Sequence, residues 1–361
     1  ADFAERSKES GCSPGKRTTA LLEASHTMPM GLVATKDERS QRTLPETPLL
    51  GRDEERIQLG RALTSVPERE LRAIFISGEA GIGKTRLIKE VVSKLHMGGQ
   101  WVLAAESAEL EQLIPLNPLI EAFRSKDVGE AVRHLREPWR SVLWGVMPSH
   151  YLGEGPIPEA PHIQPGSVPR RLFEAFYQLL ISLAGSRPLV LVLEDLQWAD
   201  ETTLSILEFL VRRWDHGGFQ LVMSARAEEI RKHPVLEQFL ENLHGHVDAL
   251  EIRLSDLEQS DGETLIQHLT TEPLEASEVR QLRSLAGGNP FFLIELTLEF
   301  LAGRLGPVST PEDIVPIPLS IRQVLDRRLS QLSGNAERVL GSLAVHSRPL
   351  DLSGVAWIAQ L

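Results

Sequence analysis

In FISGEAGIGKTRL, Phe75 to Leu87, three glycines, a lysine and a threonine follow a short apolar run. Gly78, Gly81, Gly83, Lys84 and Thr85 satisfy G-x-x-x-x-G-K-[ST], and each residue type has a task in holding nucleotide phosphates. Glycines let the backbone wrap a phosphate with its N–H groups, and the helix that follows adds its positive end. Lys84 is expected to reach the β and γ phosphates, and the Thr85 hydroxyl to ligate Mg²⁺. With Glu79, Ala80, Ile82 and Arg86 these residues make the expected nucleotide-binding set, and ATP or ADP with Mg²⁺ is the expected ligand.

A phosphate loop calls for a second strand that ends in a carboxylate near the metal. LVLVLEDLQWAD, Leu189 to Asp200, supplies Glu194 and Asp195 at such a tip. One carboxylate can help hold Mg²⁺ while the other orients the attacking water. Alternation along a strand sends neighbouring side chains to opposite faces, although the turn that begins there loosens the rule. Arg226 ends the next strand, where a cation could sense the γ phosphate or serve only as a surface arginine. Asp200, followed by ETTLSILEFL, fits a helix N-cap better than a catalytic role. Trp198 reads as a packing residue, and His244 and His246 lack partners at metal-ligand spacing.

These residues need a scaffold of alternating strands and helices. Arg72–Ser77, Trp101–Glu106, Leu189–Glu194 and Phe219–Ala225 read as strands, and Ala249–Leu254 as a last short strand that closes the sheet. Helices are expected at about Lys84–Leu95, Arg170–Leu183 and Glu201–Arg213, with two or three short ones between Leu113 and Pro169 and a Pro-punctuated loop, GEGPIPEAPHIQPG. Alternating strands and helices imply a mainly parallel sheet covered on both faces. Beyond Ser255 the patterns turn helical, at Asp256–Leu269, Ser277–Leu285 and Phe291–Leu301. GGNPFFLIEL, Gly287 to Leu296, reads as a helix C-cap, a turn and a new helix with Pro290 at its first position. A proline-rich connector, Pro307–Pro318, then leads to helices at about Leu319–Leu332 and Asn335–Val345.

The 361 residues carry 38 Lys and Arg against 50 Asp and Glu, a formal charge of −12. That balance disfavours a stand-alone nucleic-acid binder, which normally shows a basic face. The single cysteine, Cys12, excludes an intramolecular disulfide and a cysteine zinc site, which fits a reducing cytoplasm. No apolar run approaches a membrane span. Residues 1–46 hold seven acidic and seven basic residues without sustained periodicity and read as a disordered linker. The chain begins at Ala1 rather than Met, and its last residues, GVAWIAQL, read as the middle of an amphipathic helix. A piece of a longer protein is therefore expected.

In this order, LLGRDEE, GEAGIGKT, LVLEDLQWAD, LVMSAR and GGNPFF resemble the STAND class of AAA+-related signalling ATPases. The closest resemblance is to the ATP-binding module of large LuxR-type and SARP-type bacterial transcription regulators. It covers about residues 47–345. The resemblance implies that Leu50, Gly51 and Arg52 line the adenine end, and that Gly288, Asn289 and Pro290 bring a helical lid against the nucleotide. It implies the metal-side place for Glu194, where the family often has Asp, and the water-activating place for Asp195.

The expected fold is thus an α/β P-loop NTPase, with a core at 47–228, a helical lid at 229–305 and the start of a winged-helix-like domain at 306–361. The expected function is a nucleotide switch in a cytoplasmic signalling protein, with slow ATP hydrolysis as its reset and protein partners or self-assembly as its output. DNA would be contacted only through domains outside this chain. A non-hydrolysing scaffold, a module attached to a cyclase or kinase, and a small-molecule phosphotransferase are the alternatives.

Overall fold

The computed structural model describes residues 47–65, 71–97, 99–124, 126–147, 168–185, 187–216, 218–305, 317–330 and 332–345. The linker at 1–46, Cys12, the GEGPIPEAPHIQPG loop, most of the proline-rich connector and the final GVAWIAQL lie outside these residues.

Helix α1 (Asp53–Thr64) leads into β1 (Leu71–Gly78), and α2 (Lys84–Met97) follows the glycine loop. Strand β2 (Trp101–Glu106) is succeeded by a single 3₁₀ turn, Glu109–Glu111, and the short helices α3 (Asn117–Ala122), α4 (Lys126–His134) and α5 (Trp139–Trp144). Next come α6 (Val168–Ala184), β3 (Leu189–Glu194), α7 (Glu201–Arg213) and β4 (Phe219–Arg226). Two helices absent from the sequence reading, α8 (Ala227–Ile230) and α9 (Pro234–His246), precede β5 (Asp248–Arg253).

The strands form one sheet in the order β2-β3-β4-β1-β5, with all pairings parallel. Side-chain alternation divides it into two faces. Leu189, Leu191 and Leu193 of β3 join the cluster covered by α3 to α7 and α9, whereas Val190 and Val192 join the cluster with α1 and α2. Every residue of β3 is buried, as an apolar strand covered on both faces should be. The same alternation turns Glu194, next in the series, toward the α2 side.

Strand β5 lies within 229–305, the stretch expected to be a helical lid. Its parallel pairing with β1 makes it a strand of the sheet. The helices beyond it are α10 (Gln259–Leu269), α11 (Ala276–Ala286) and α12 (Pro290–Leu301). They enclose a third apolar cluster, which Ile321 of α13 (Leu319–Ser330) joins and against which Leu50 packs. Helix α14 (Gly334–Val345) ends the described chain. No helix among the described residues is long and apolar enough to cross a membrane.

Candidate active site

The glycine loop spans the turn from β1 into α2, at the end of the sheet where parallel strands point their C-termini. Gly81 and Gly83 have φ of 79° and 105°, conformations that a side chain rarely adopts. Gly81 also meets α12: a Cβ there would stand 2.8 Å from Cβ of Phe291. Lys84 is only 7% exposed, and its ammonium donates to the carbonyls of Gly78 and Glu79, at 2.9 Å each. Burial pushes its pKa down, and among nearby charges Asp195 opposes this most. Arg86 is exposed on the first turn of α2.

Glu194 reaches the loop as alternation along β3 requires. Its carboxylate accepts a hydrogen bond from Thr85, while its Oε2 is buried without a partner among the described residues. An orphaned carboxylate oxygen beside a threonine hydroxyl is a donor set that fits a hard cation such as Mg²⁺. Burial raises the Glu194 pKa above the ordinary 4.5, and the Thr85 hydroxyl partly offsets the shift. Such a carboxyl favours folding fully below the unfolded pKa, and that contribution is lost as pH rises through the folded value. We therefore expect Glu194→Gln to match the parent near pH 4.5 and to exceed it by about 1 kcal/mol in ligand-free urea melts at pH 8. A gap that shrinks with rising pH would refute this account.

Asp195 leaves the strand in the left-handed region, φ 56°, which frees its side chain from strand alternation. Its N–H donates to Ser224 Oγ, and its carboxylate stands 3.8 Å from Arg226 Nη2. Arg226 is in turn fixed by its backbone N–H, which donates to Gln197 Oε1. Ser224 and Gln197 were missed in the sequence. The polar side chains at the tip of β4 and in the turn after β3 were their only signal.

Asp200 is the N-cap of α7: its carboxylate accepts from Thr203 N and from Leu116 N, both at 3.0 Å. Those contacts occupy both of its oxygens in structure.

The start of α12 touches the loop through Asn289. Its Nδ2 donates to Ala80 O at 3.0 Å, and its Oδ1 accepts from the N–H groups of Phe291 and Phe292, capping α12. Pro290 occupies the first turn of that helix, and Gly287 closes α11 with φ 61°. Both ends match the expected cap, turn and new helix. On the other side Arg52, almost fully buried, donates to Ser255 O and, at 3.5 Å, to Ile82 O, and pairs with Glu55. Its guanidinium is thereby committed to protein groups. Gly51 abuts Asp261 of α10, so Leu50, Gly51 and Arg52 all sit at the meeting of loop, sheet and lid.

The family model described as AAA ATPase domain matches residues 48–224, just under half of the chain. No curated protein sequence matches. Among solved structures the chain is similar to a Walker-type ATPase of Pyrococcus abyssi, at 13% identity and a TM-score of 0.47, over 86% of this chain and 88% of that one. It is similar to an ORC1 protein of Aeropyrum pernix in complex with DNA, at 14% identity and a TM-score of 0.41, over 89% and 79%. A STAND protein with a tetratricopeptide repeat sensor from Pyrococcus horikoshii gives 13% identity and a TM-score of 0.37, over 87% of this chain and 37% of that one.

Proposed function

We propose that this P-loop NTPase fold, with its AAA ATPase match over 48–224, binds ATP with Mg²⁺ and hydrolyses it slowly as a signalling switch. One observation carries the reading: the single side chain of Asn289 caps the lid helix and donates to the phosphate loop, so loop and lid share a hinge residue. A ligand shifts such a pair only if it binds the two arrangements with different affinity.

In this reading the loop N–H groups and Lys84 hold the phosphates, with the ammonium exchanging its contacts to Gly78 O and Glu79 O for phosphate oxygens. Mg²⁺ would be held by Thr85 and Glu194 and would neutralise charge on the β and γ phosphates. Asp195 orients a water and takes its proton on the carboxylate as the oxygen attacks the γ phosphorus, yielding ADP and phosphate. Arg226 faces the same edge and stabilises charge there. Leu50, Gly51 and Arg52 shape the base end through backbone, since the Arg52 side chain is already engaged.

The domain roles follow as an ATPase core, a lid that closes on the nucleotide, and α13 and α14 as the beginning of a winged-helix-like unit. The output is assembly or partner recruitment in a cytoplasmic regulator, with a transcriptional role as the specific form proposed.

The test is titration calorimetry with Mg-ATP on the full chain and its lid variants. Asn289→Ala removes a cap and the link to Ala80, so it should lower stability by about 1–2 kcal/mol and weaken ATP about tenfold. Pro290→Ala should weaken ATP severalfold while leaving the core melt in place, because alanine is a good helix former at that position. Parent-like affinity in both variants would remove the lid from the switch.

A further inference from the structure

Beside Asp195 an open groove of about 510 Å³ runs between the ends of β2 and β3 and helix α3. Five carboxylates line it, from Glu106, Glu109, Glu111, Glu121 and Asp195, against two cations, Arg226 beside Asp195 and Arg124 paired with Glu121. A second observation is independent of that charge. Ser107 lines the groove at 4% exposure, and its Oγ is buried without a hydrogen-bond partner among the described residues. Buried hydroxyls normally have such a partner, so this one is open to a polar group from outside.

The turn that carries two of those carboxylates is also apolar where it meets solvent. Leu110 and Leu113, in the turn between β2 and α3, are 95% and 93% exposed, and Ile114 beside them is half exposed. Single exposed apolar residues are ordinary, but three within five residues, in the turn whose Glu109 and Glu111 line the groove, mark a contact surface. Trp198 also lines the groove, and an indole face attracts cations.

We propose that this groove and the exposed leucines of the adjoining turn dock a basic, leucine-bearing amphipathic segment of a partner protein. Charge complementarity selects that occupant: lysine or arginine side chains meet the carboxylates while leucines cover Leu110 and Leu113. A second copy of this chain is a poor fit, because a two-fold contact would set the acidic patch against itself in a molecule of charge −12. Occupancy reaches the reactive edge directly. A bound cation competes with Arg226 for Asp195, 3.8 Å away, and thereby changes the carboxylate that orients the water. This coupling rests on the ATPase reading; the docking does not.

The test uses the full chain, without nucleotide, and a fluorescein-labelled peptide of leucine and lysine at amphipathic helical spacing. Anisotropy should show saturable binding that salt weakens. Affinity should fall at least about tenfold in Leu110→Ser/Leu113→Ser and in Glu109→Lys/Glu111→Lys. Glu241→Lys/Glu272→Lys, which changes net charge equally at exposed sites elsewhere, should bind like the parent. A peptide with glutamate in place of lysine should not bind. Absence of saturable binding, parent-like binding by the groove variants, or equal weakening by the distant pair would overturn the proposal. So would dimerisation of the parent that Leu110→Ser/Leu113→Ser abolishes, since the surface would then belong to a second copy. In a second measurement, bound peptide should change ATP turnover severalfold. Unchanged turnover with confirmed docking would overturn the coupling alone, and a parent without turnover would instead count against the ATPase reading.

Discussion

Lys84→Ala should remove measurable Mg-ATP binding, a loss of about 100-fold or more, while the chain stays folded. The Lys84 ammonium is buried within its own loop, donates to two of its carbonyls, and exchanges those contacts for phosphate oxygens when the ligand arrives. Each charge-assisted hydrogen bond to a phosphate contributes about 1.5–3 kcal/mol, and two of them account for the factor. Stability should respond far less. The substitution removes an ammonium that burial disfavours, as its lowered pKa records, and leaves two carbonyls that water can reach once the side chain is gone. Calorimetric titration with parallel circular dichroism separates the two outcomes. Parent-like affinity in a folded Lys84→Ala protein would sink the nucleotide site, and with it both the switch and the scaffold readings.

Legibility in the sequence followed sequence separation. The phosphate loop, the strands and the caps of α7 and α12 are set by neighbours within a few residues, and their patterns could be read directly. Helix α9 had such a local signal, with Leu236, Phe239 and Leu243 on one face and Pro234 at its start, and it was overlooked rather than hidden. The joints between elements were a different case. Asn289 reaches Ala80 across 209 positions, and Arg52 reaches Ser255 across 203. No periodicity encodes those contacts, because they depend on how the lid returns to the loop. Arg52, expected at the adenine end from the resemblance, reveals its engaged side chain only in the packed structure. The groove beside Asp195 is assembled from three separate segments and left no motif.

Asp195→Asn addresses whether ATP is consumed or only sensed, and its expected result is a protein that binds ATP as well as the parent but turns it over about 100- to 10,000-fold more slowly. Asparagine is the substitution of choice because Asp195 sits at φ 56°, a conformation that Asn adopts readily, so the turn after β3 should survive. Its amide keeps the shape and loses both the charge and the capacity to take a proton from water. Binding should hold or tighten: one negative charge leaves the phosphate edge, and Arg226 is released from a partner 3.8 Å away. A positional defect would act differently, since a displaced Arg226 or Lys84 would weaken binding and turnover together. The informative signature is therefore a fall in kcat with an unchanged dissociation constant, read by single-turnover hydrolysis beside equilibrium binding. If turnover in the parent is no faster than in Asp195→Asn, the carboxylate does no chemistry, and the chain is a nucleotide-bound scaffold whose state is set by exchange of ligand rather than by its hydrolysis.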